Sequence, residues 1–221
     1  MKRKGGSSAP SLDDCGEQPR RNPSRAERPI HLFLLAAATV LVASCTTPDT
    51  RHRIVVSIPE QRLGLLDNGA LVATYPVSTS KFAIGDAPGS RATPLGELQI
   101  EKKIGGGAVS GTVFKDRRPT GEVLVPDAPG RDPIVSRILW LRGLEAQNAN
   151  AYSRYIYIHG SAEERNIGKR ASYGCIRMRS RDVIQLYDIV GYGARVTIVD
   201  APLVSAIPSA DSTANAAVSS H

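Results

Sequence analysis

Three cysteines occur, Cys15, Cys45 and Cys175, and only Cys175 sits inside a stretch with strand and turn signals, Ser172-Tyr173-Gly174-Cys175-Ile176-Arg177-Met178. An ordinary thiol is only about 3% thiolate at pH 7, so a nucleophilic cysteine needs a base or a positive field. Of the four histidines, His31 directly precedes an apolar run, His52 lies at the start of the patterned region and His221 at the chain end, which leaves His159. His159 closes the run Tyr155-Ile156-Tyr157-Ile158 and precedes Gly160, a place where an imidazole leaves a sheet edge towards a loop. Sixteen residues separate it from Cys175, enough for a loop to fold back. Taken singly, such a histidine is a structural hydrogen-bonding residue and such a cysteine a small core residue; together they can be base and nucleophile. A thiol so activated should alkylate faster than a free one at pH 7. One cysteine and one usable histidine fall short of the three or four ligands of a metal site, and no cofactor is implied.

The elements that must position this pair read as mainly β. Residues 53–58 and 71–75 carry strand patterning, and residues 62–66 lead into Asp67-Asn68-Gly69, where Asn-Gly between apolar runs predicts a hairpin with a primed turn. Further strands are expected at 96–103, 112–115, 122–125, 138–144, 155–159 and 195–199. One helix stands out: Ser180 can cap it, Asp182 sits in its first turn, Val183, Ile184, Tyr187 and Val190 share a face, and Gly191 can end it. Residues 81–93 and 126–133 are Gly/Pro-rich loops, the kind of segment that carries a binding surface.

The 221 residues exceed a usual single domain yet are too few for two enzyme domains. With 41% hydrophobic and 22% charged residues a substantial core is possible. Of the net charge of +7, the first 44 residues contribute seven bases and four acids, so the remainder is only mildly basic. With aromatics at 5% and no basic stripe, a nucleic-acid partner is not expected, whereas an anionic envelope polymer or membrane surface is compatible.

Residues 32–44 form an apolar run too short to span a bilayer, preceded by Arg25 and Arg28 and ending in small residues, the pattern of an export signal. Val42-Ala43-Ser44-Cys45 resembles the lipobox of bacterial lipoproteins, which implies lipidation of Cys45 and a membrane anchor. Thr46 and Thr47, with no Asp after Cys45, lean by resemblance towards the outer membrane of a diderm envelope. The expected organisation is a leader over 1–44, a tether over 45–51, a folded domain over 52–200 and a disordered tail over 201–221.

The string His159-Gly160, Gly168, Ser172-Tyr173-Gly174-Cys175-Ile176-Arg177-Met178 and Asp182 closely resembles the signature of the L,D-transpeptidase (YkuD-type) family. Thr93-Pro94-Leu95-Gly96 and Tyr75-Pro76-Val77-Ser78-Thr79 resemble its upstream segments, and the likeness covers residues 53–199. The resemblance implies a β-sandwich-like catalytic domain acting on peptidoglycan stem peptides. In it Cys175 attacks the third residue of a donor tetrapeptide, D-Ala leaves, and an amine resolves the thioester into a 3-3 cross-link. In some members the acceptor is a lipoprotein lysine or a D-amino acid.

The same likeness implies that His159 is the base, that the Gly160 carbonyl orients it, and that the backbone N–H groups of Tyr173, Gly174 and Cys175 form the oxyanion hole. Ser172 belongs either to the Cys/His site or to the local turn, and Arg177 either meets a stem-peptide carboxylate or makes a surface ion pair. Lys169, Arg170, Arg179 and Arg181 add positive charge, mostly as solvated residues. Tyr173 stands where many members have histidine, and Glu97 where histidine or phenylalanine is commoner. Papain-like endopeptidases have the opposite order of cysteine and histidine. An L,D-carboxypeptidase of the same fold and a non-enzymatic wall-binding lipoprotein are the alternatives.

Overall fold

Two positive backbone angles make the first hairpin: Asn68 at φ 47° and Gly69 at φ 84° supply the primed turn that the sequence predicts. The turn joins β2 (Arg62–Asp67) to β3 (Ala70–Pro76), and β2 lies antiparallel to β1 (His52–Ser57). The computed structural model describes residues 47–207. Its remaining strands are β4 (Gly96–Ile104), β5 (Thr112–Lys115), β6 (Arg118–Val123), β7 (Ile134–Gly143), β8 (Tyr157–Ser161), β9 (Ile176–Met178) and β10 (Arg195–Val199), with the helix α1 (Ser180–Ile189) between β9 and β10. The domain is therefore mainly β, as expected. All strands join one ladder in the order β3-β2-β1-β10-β4-β7-β5-β6, and β8 and β9 branch from β7.

The period-2 side-chain alternation sends Ile54, Val56, Leu98, Ile100, Leu139, Leu141, Ile158, Val196 and Ile198 to one side, where Val183 and Leu186 of α1 meet them. Leu63, Leu65 and Tyr75 from one end of the ladder and Ile176 and Met178 from the other enter the same cluster. Strands far apart in the order of this open sheet thus share one core with the helix. Removing each such Leu or Ile from water is worth about 1.5–3 kcal/mol. The other side of β7 and β8 carries Ile138, Trp140 and Tyr157, which pack with Phe114.

Several boundaries differ from expectation. Tyr155 adopts φ 59°, a left-handed conformation, so β8 begins at Tyr157 and runs through His159 to Ser161. It is an interior strand, antiparallel to β7 and parallel to β9, rather than an edge. Strand β9 has only three residues, too few for a period to show. Strand β6 starts four residues earlier than its sequence pattern suggests. Ser180 does not cap α1: Arg179 holds the N-cap position, and the Ser180 hydroxyl accepts a bond from the Ser136 hydroxyl at 2.8 Å inside the protein.

Both ends of the folded region also extend further. The end of the expected tether is docked: Asp49 accepts the Gly191 N–H at 2.6 Å and the N–H groups of Arg51 and His52 at 3.0 Å, and its own N–H donates to Tyr192 O. Residues 201–207 form a short 3-10 turn at Leu203–Ala206 instead of a loose tail, because Leu203 buries itself against Val55 and Leu66. The leader, Cys45 and residues 208–221 lie outside the described residues.

Candidate active site

His159 pairs in register with Arg177 across β8 and β9, and Cys175 precedes Arg177 by two residues. By the strand period, Tyr157, His159, Cys175 and Arg177 share one face, with thiol and imidazole on neighbouring segments of the sheet and offset by two positions. Diagonal neighbours of this kind are about 7–8 Å apart at the backbone, within side-chain reach. Consistently, Cys175 packs against Tyr157 in the second cluster, away from the main core.

A local irregularity aims the imidazole. Strand β7 changes register between Val135 and Ile138 opposite Gly160 and His159, and Ser136 in that bulge adopts φ 66°. At the bulge Val135 O comes so near that a Cβ on Gly160 would lie 2.5 Å from it, so only glycine fits. The close-packed Gly160 turns its carbonyl towards His159 Nδ1 at 2.8 Å. A carbonyl can only accept, so Nδ1 carries the proton and Nε2 keeps a free lone pair.

His159 is 5% exposed. Burial pushes its pKa down to about 4, assisted by the positive charge of Arg177 and opposed by the Gly160 bond and Asp132. Desolvation pushes the Cys175 thiol up, against the Tyr157 backbone and the cations Arg177 and Arg154. Cys175 keeps part of its surface in contact with solvent, and its S–H donates to Tyr155 O at 3.4 Å. Both shifts favour neutral partners. Burial therefore works against the reactive thiolate that the sequence expectation calls for, and the Gly160 bond leaves His159 Nε2 as the ring nitrogen with a free lone pair.

The turn before Cys175 is tied from inside. Ser172 is fully buried; its hydroxyl donates to Cys175 O at 2.6 Å and accepts the Gly174 N–H at 3.2 Å. The serine therefore serves the turn, and Gly174 N–H is already engaged. The N–H groups of Tyr173 and Cys175 donate to no acceptor among the described residues. Gly174 sits at φ 120° with Ala92 O 3.0 Å from where a Cβ would be. Thr93, from the upstream motif, is the missing brace: its hydroxyl donates to Gly174 O at 3.0 Å and accepts Ser80 N–H at 3.0 Å.

Two further residues escape the sequence reading. Asp132, in the loop 126–133, accepts the Ser161 hydroxyl at 2.8 Å and the Glu163 N–H at 3.1 Å, and its other oxygen lies 2.6 Å from Arg177 Nη1. The Arg177 guanidinium is thus neither a bare receptor nor a surface ion pair. Arg154 forms an ion pair with Asp86 at 2.6 Å, both side chains under a tenth exposed, and also donates to the carbonyls of Gly85 and Ala92. That pair fixes the loop 81–93 behind Gly174. No spacing rule marks either acid, because each reaches its partner across a loop.

Beside Tyr173 opens a cavity of about 530 Å³ lined by Lys81, Asp132, Glu163, Asn166, Arg170, Ala171, Tyr173 and Arg177. Among the described residues, no three His, Cys, Asp or Glu side chains converge as metal ligands.

Comparison with known proteins places these features in context. The family model for the L,D-transpeptidase catalytic domain (YkuD) matches residues 51–198. The chain is 30% identical over 164 residues to a putative L,D-transpeptidase YkuD of Bacillus licheniformis, covering 74% of this chain and 75% of that protein. It is also 30% identical over 191 residues to a probable L,D-transpeptidase ErfK/SrfK of Salmonella typhimurium, covering 82% of this chain and 56% of the relative. Among solved structures it is similar to an L,D-transpeptidase from Mycobacterium smegmatis at 17% identity and a TM-score of 0.45, over 67% of this chain and 58% of that one.

Proposed function

We propose that this chain, which belongs to the family of L,D-transpeptidase catalytic domains, is a peptidoglycan L,D-transpeptidase with Cys175 as nucleophile. The observation that carries the reading is the Gly160 carbonyl on His159 Nδ1, which leaves Nε2 basic on the face it shares with Cys175. As Sγ bonds to the carbonyl carbon of the donor's third residue, the thiol proton passes to Nε2 and the carbonyl oxygen gains the negative charge. In this reading the Tyr173 and Cys175 N–H groups, which have no acceptor among the described residues, are the donors to that oxyanion. Collapse breaks the C–N bond, the imidazolium proton goes to the departing D-Ala amine, and a thioester remains. An acceptor amine then attacks the thioester, gives its proton to Nε2, and restores the thiol when the C–S bond breaks.

The pattern of residues 25–45 supports export to the cell envelope and an acyl anchor on Cys45. An amine acceptor gives 3-3 cross-links; a lipoprotein lysine or a D-amino acid is the same chemistry with another amine. Incubating the purified protein with disaccharide-tetrapeptides tests the assignment. Dimers with loss of D-Ala are expected; tripeptide without dimer would mean hydrolysis, and unchanged tetrapeptide with no carbapenem adduct on Cys175 would mean a wall-binding protein.

A further inference from the structure

The sulfur of Cys175 is engaged, but not by His159. Its S–H donates to Tyr155 O at 3.4 Å, a carbonyl that accepts no other hydrogen bond among the described residues. No hydrogen bond joins Sγ to the imidazole there, and the ring is held through Nδ1 by Gly160 O. Extending the register of β8 and β9 by one residue sets Cys175 opposite Tyr157. Tyr155 therefore lies two residues to one side of the thiol, and His159 two to the other.

Tyr155 is braced to keep that carbonyl in place. Its backbone stands at φ 59°, a region that an aromatic residue enters only when its surroundings compel it. Its N–H donates to Tyr152 O at 3.1 Å, and the N–H of Ile156 donates to Ala151 O at 3.0 Å. The half-exposed ring lies 5.6 Å from that of Trp140, centroid to centroid. The Arg117 guanidinium covers both rings, 5.1 Å from the centre of Tyr155 and 5.2 Å from that of Trp140. Arg117 belongs to the tip of the hairpin between β5 and β6, where Asp116 and Arg117 turn the chain tightly at φ 50° and 66°. A hairpin cation thus clasps the residue whose carbonyl holds the thiol.

We propose that Tyr155 is a positioning residue that keeps Cys175 in a resting place, with Arg117 as its clasp. In the free protein the S–H is bonded to Tyr155 O and turned from His159, and any contact that draws Arg117 off the two rings releases it towards Nε2. The proposal deepens the transpeptidase reading and rests on it for the roles of Cys175 and His159. No covalent bond changes in this step: the proton stays on sulfur while the side chain turns between staggered positions and exchanges one acceptor, Tyr155 O, for another, His159 Nε2. A thiol so held is protected from alkylation and oxidation until the clasp opens.

Reaction of Cys175 with iodoacetamide at pH 7, followed in the full chain by mass spectrometry of the peptide that contains it, reads where the thiol points. His159→Gln alone should leave the rate almost unchanged, because the resting thiol does not face the imidazole. Arg117→Ala should raise the rate about fivefold, the effect of losing one cation over two aromatic faces. Adding His159→Gln to Arg117→Ala should abolish that gain, since the released thiol gives its proton to Nε2. Arg117→Lys, which keeps a cation at the rings, should stay near the wild-type rate. An Arg117→Ala rate equal to that of the wild type, a gain that survives His159→Gln, or a wild type already slowed by His159→Gln would each overturn the resting place. The expected rates in a protein that leaves disaccharide-tetrapeptides unchanged and forms no carbapenem adduct would instead overturn the transpeptidase reading and leave the resting place standing.

Discussion

Arg177 Nη1 lies 2.6 Å from Asp132 Oδ2, with both side chains nearly out of water, and the arginine stands in register with His159 on the adjacent strand. One loop carboxylate therefore holds the cation in register with His159 and moderates its effect. Arg177 lowers the pKa of His159 and Asp132 raises it. The loop 126–133 in this way sets the charge around His159, although neither Cys175 nor His159 belongs to it.

Replacing Asp132 by Asn should leave a nearly buried guanidinium unpaired. Breaking one partner of such a pair costs about 3–5 kcal/mol when burial is complete, and somewhat less is expected for this slightly exposed pair. The midpoint of urea unfolding should fall accordingly, and the acid limb of carbapenem acylation should move to lower pH as Arg177 acts unopposed on His159. An unchanged acid limb would show that the coupling is absent.

With His159 held near pH 4, acylation of Cys175 should keep its base down to about pH 4 rather than failing near 6.5. His159→Gln should slow acylation by at least about 100-fold at pH 7. Alkylation of the free protein by iodoacetamide should be slower than that of a small thiol at pH 7 and rise at alkaline pH, since desolvation lifts the Cys175 pKa. Stopped assays across pH 4–9 check all three.

Folding stability should respond to the same residue. The folded pKa is depressed to about 4 from an unfolded value of 6.5, so the unfolded chain binds the extra proton between those values. Stability from this group is complete above pH 6.5 and declines as pH falls towards 4, by about 2 kcal/mol at pH 5. In denaturant titrations the unfolding free energy of the wild type should fall by about 2 kcal/mol more between pH 7 and pH 5 than that of His159→Gln.

Gly174→Ala forces a side chain into φ 120° and places its Cβ 3.0 Å from Ala92 O. A cost of about 1–3 kcal/mol is expected. Because the strain falls on the turn that aims the Tyr173 and Cys175 N–H groups, acylation should drop far more than the melting temperature does. Ala at Gly160 should fail more broadly, since its Cβ would meet Val135 O at 2.5 Å inside the sheet.

Arg154→Ala should destabilise the protein by about 3–5 kcal/mol, because Asp86 is left buried without its partner. Replacing both residues by apolar ones of similar size should recover much of that stability. It should not recover activity, because the Arg154 bonds to the Gly85 and Ala92 carbonyls that steady the loop behind Gly174 are lost with the guanidinium.

The mainly β character, the first hairpin and the extents of β5 and β10 were all legible in the residues, because each is a local pattern of short span. Strand β9 was not, since three residues hold no period. The start of β8 was misplaced because the left-handed backbone of Tyr155 leaves no mark in residue type. The docked segments around Asp49 and Leu203 were invisible for another reason. Their partners, Gly191 and Tyr192 for one and Val55 and Leu66 for the other, lie more than a hundred residues away in sequence.

What the sequence by itself determined is chemical identity: one usable thiol, one usable imidazole, and the glycines that let backbone approach them. What only the tertiary structure decided is their state. Whether a thiol rests neutral, whether a hydroxyl faces the base or ties a turn, and whether an arginine is free or held depend on burial and on charges brought together by strand pairing. Those fields act over a few ångströms of space and are blind to distance along the chain.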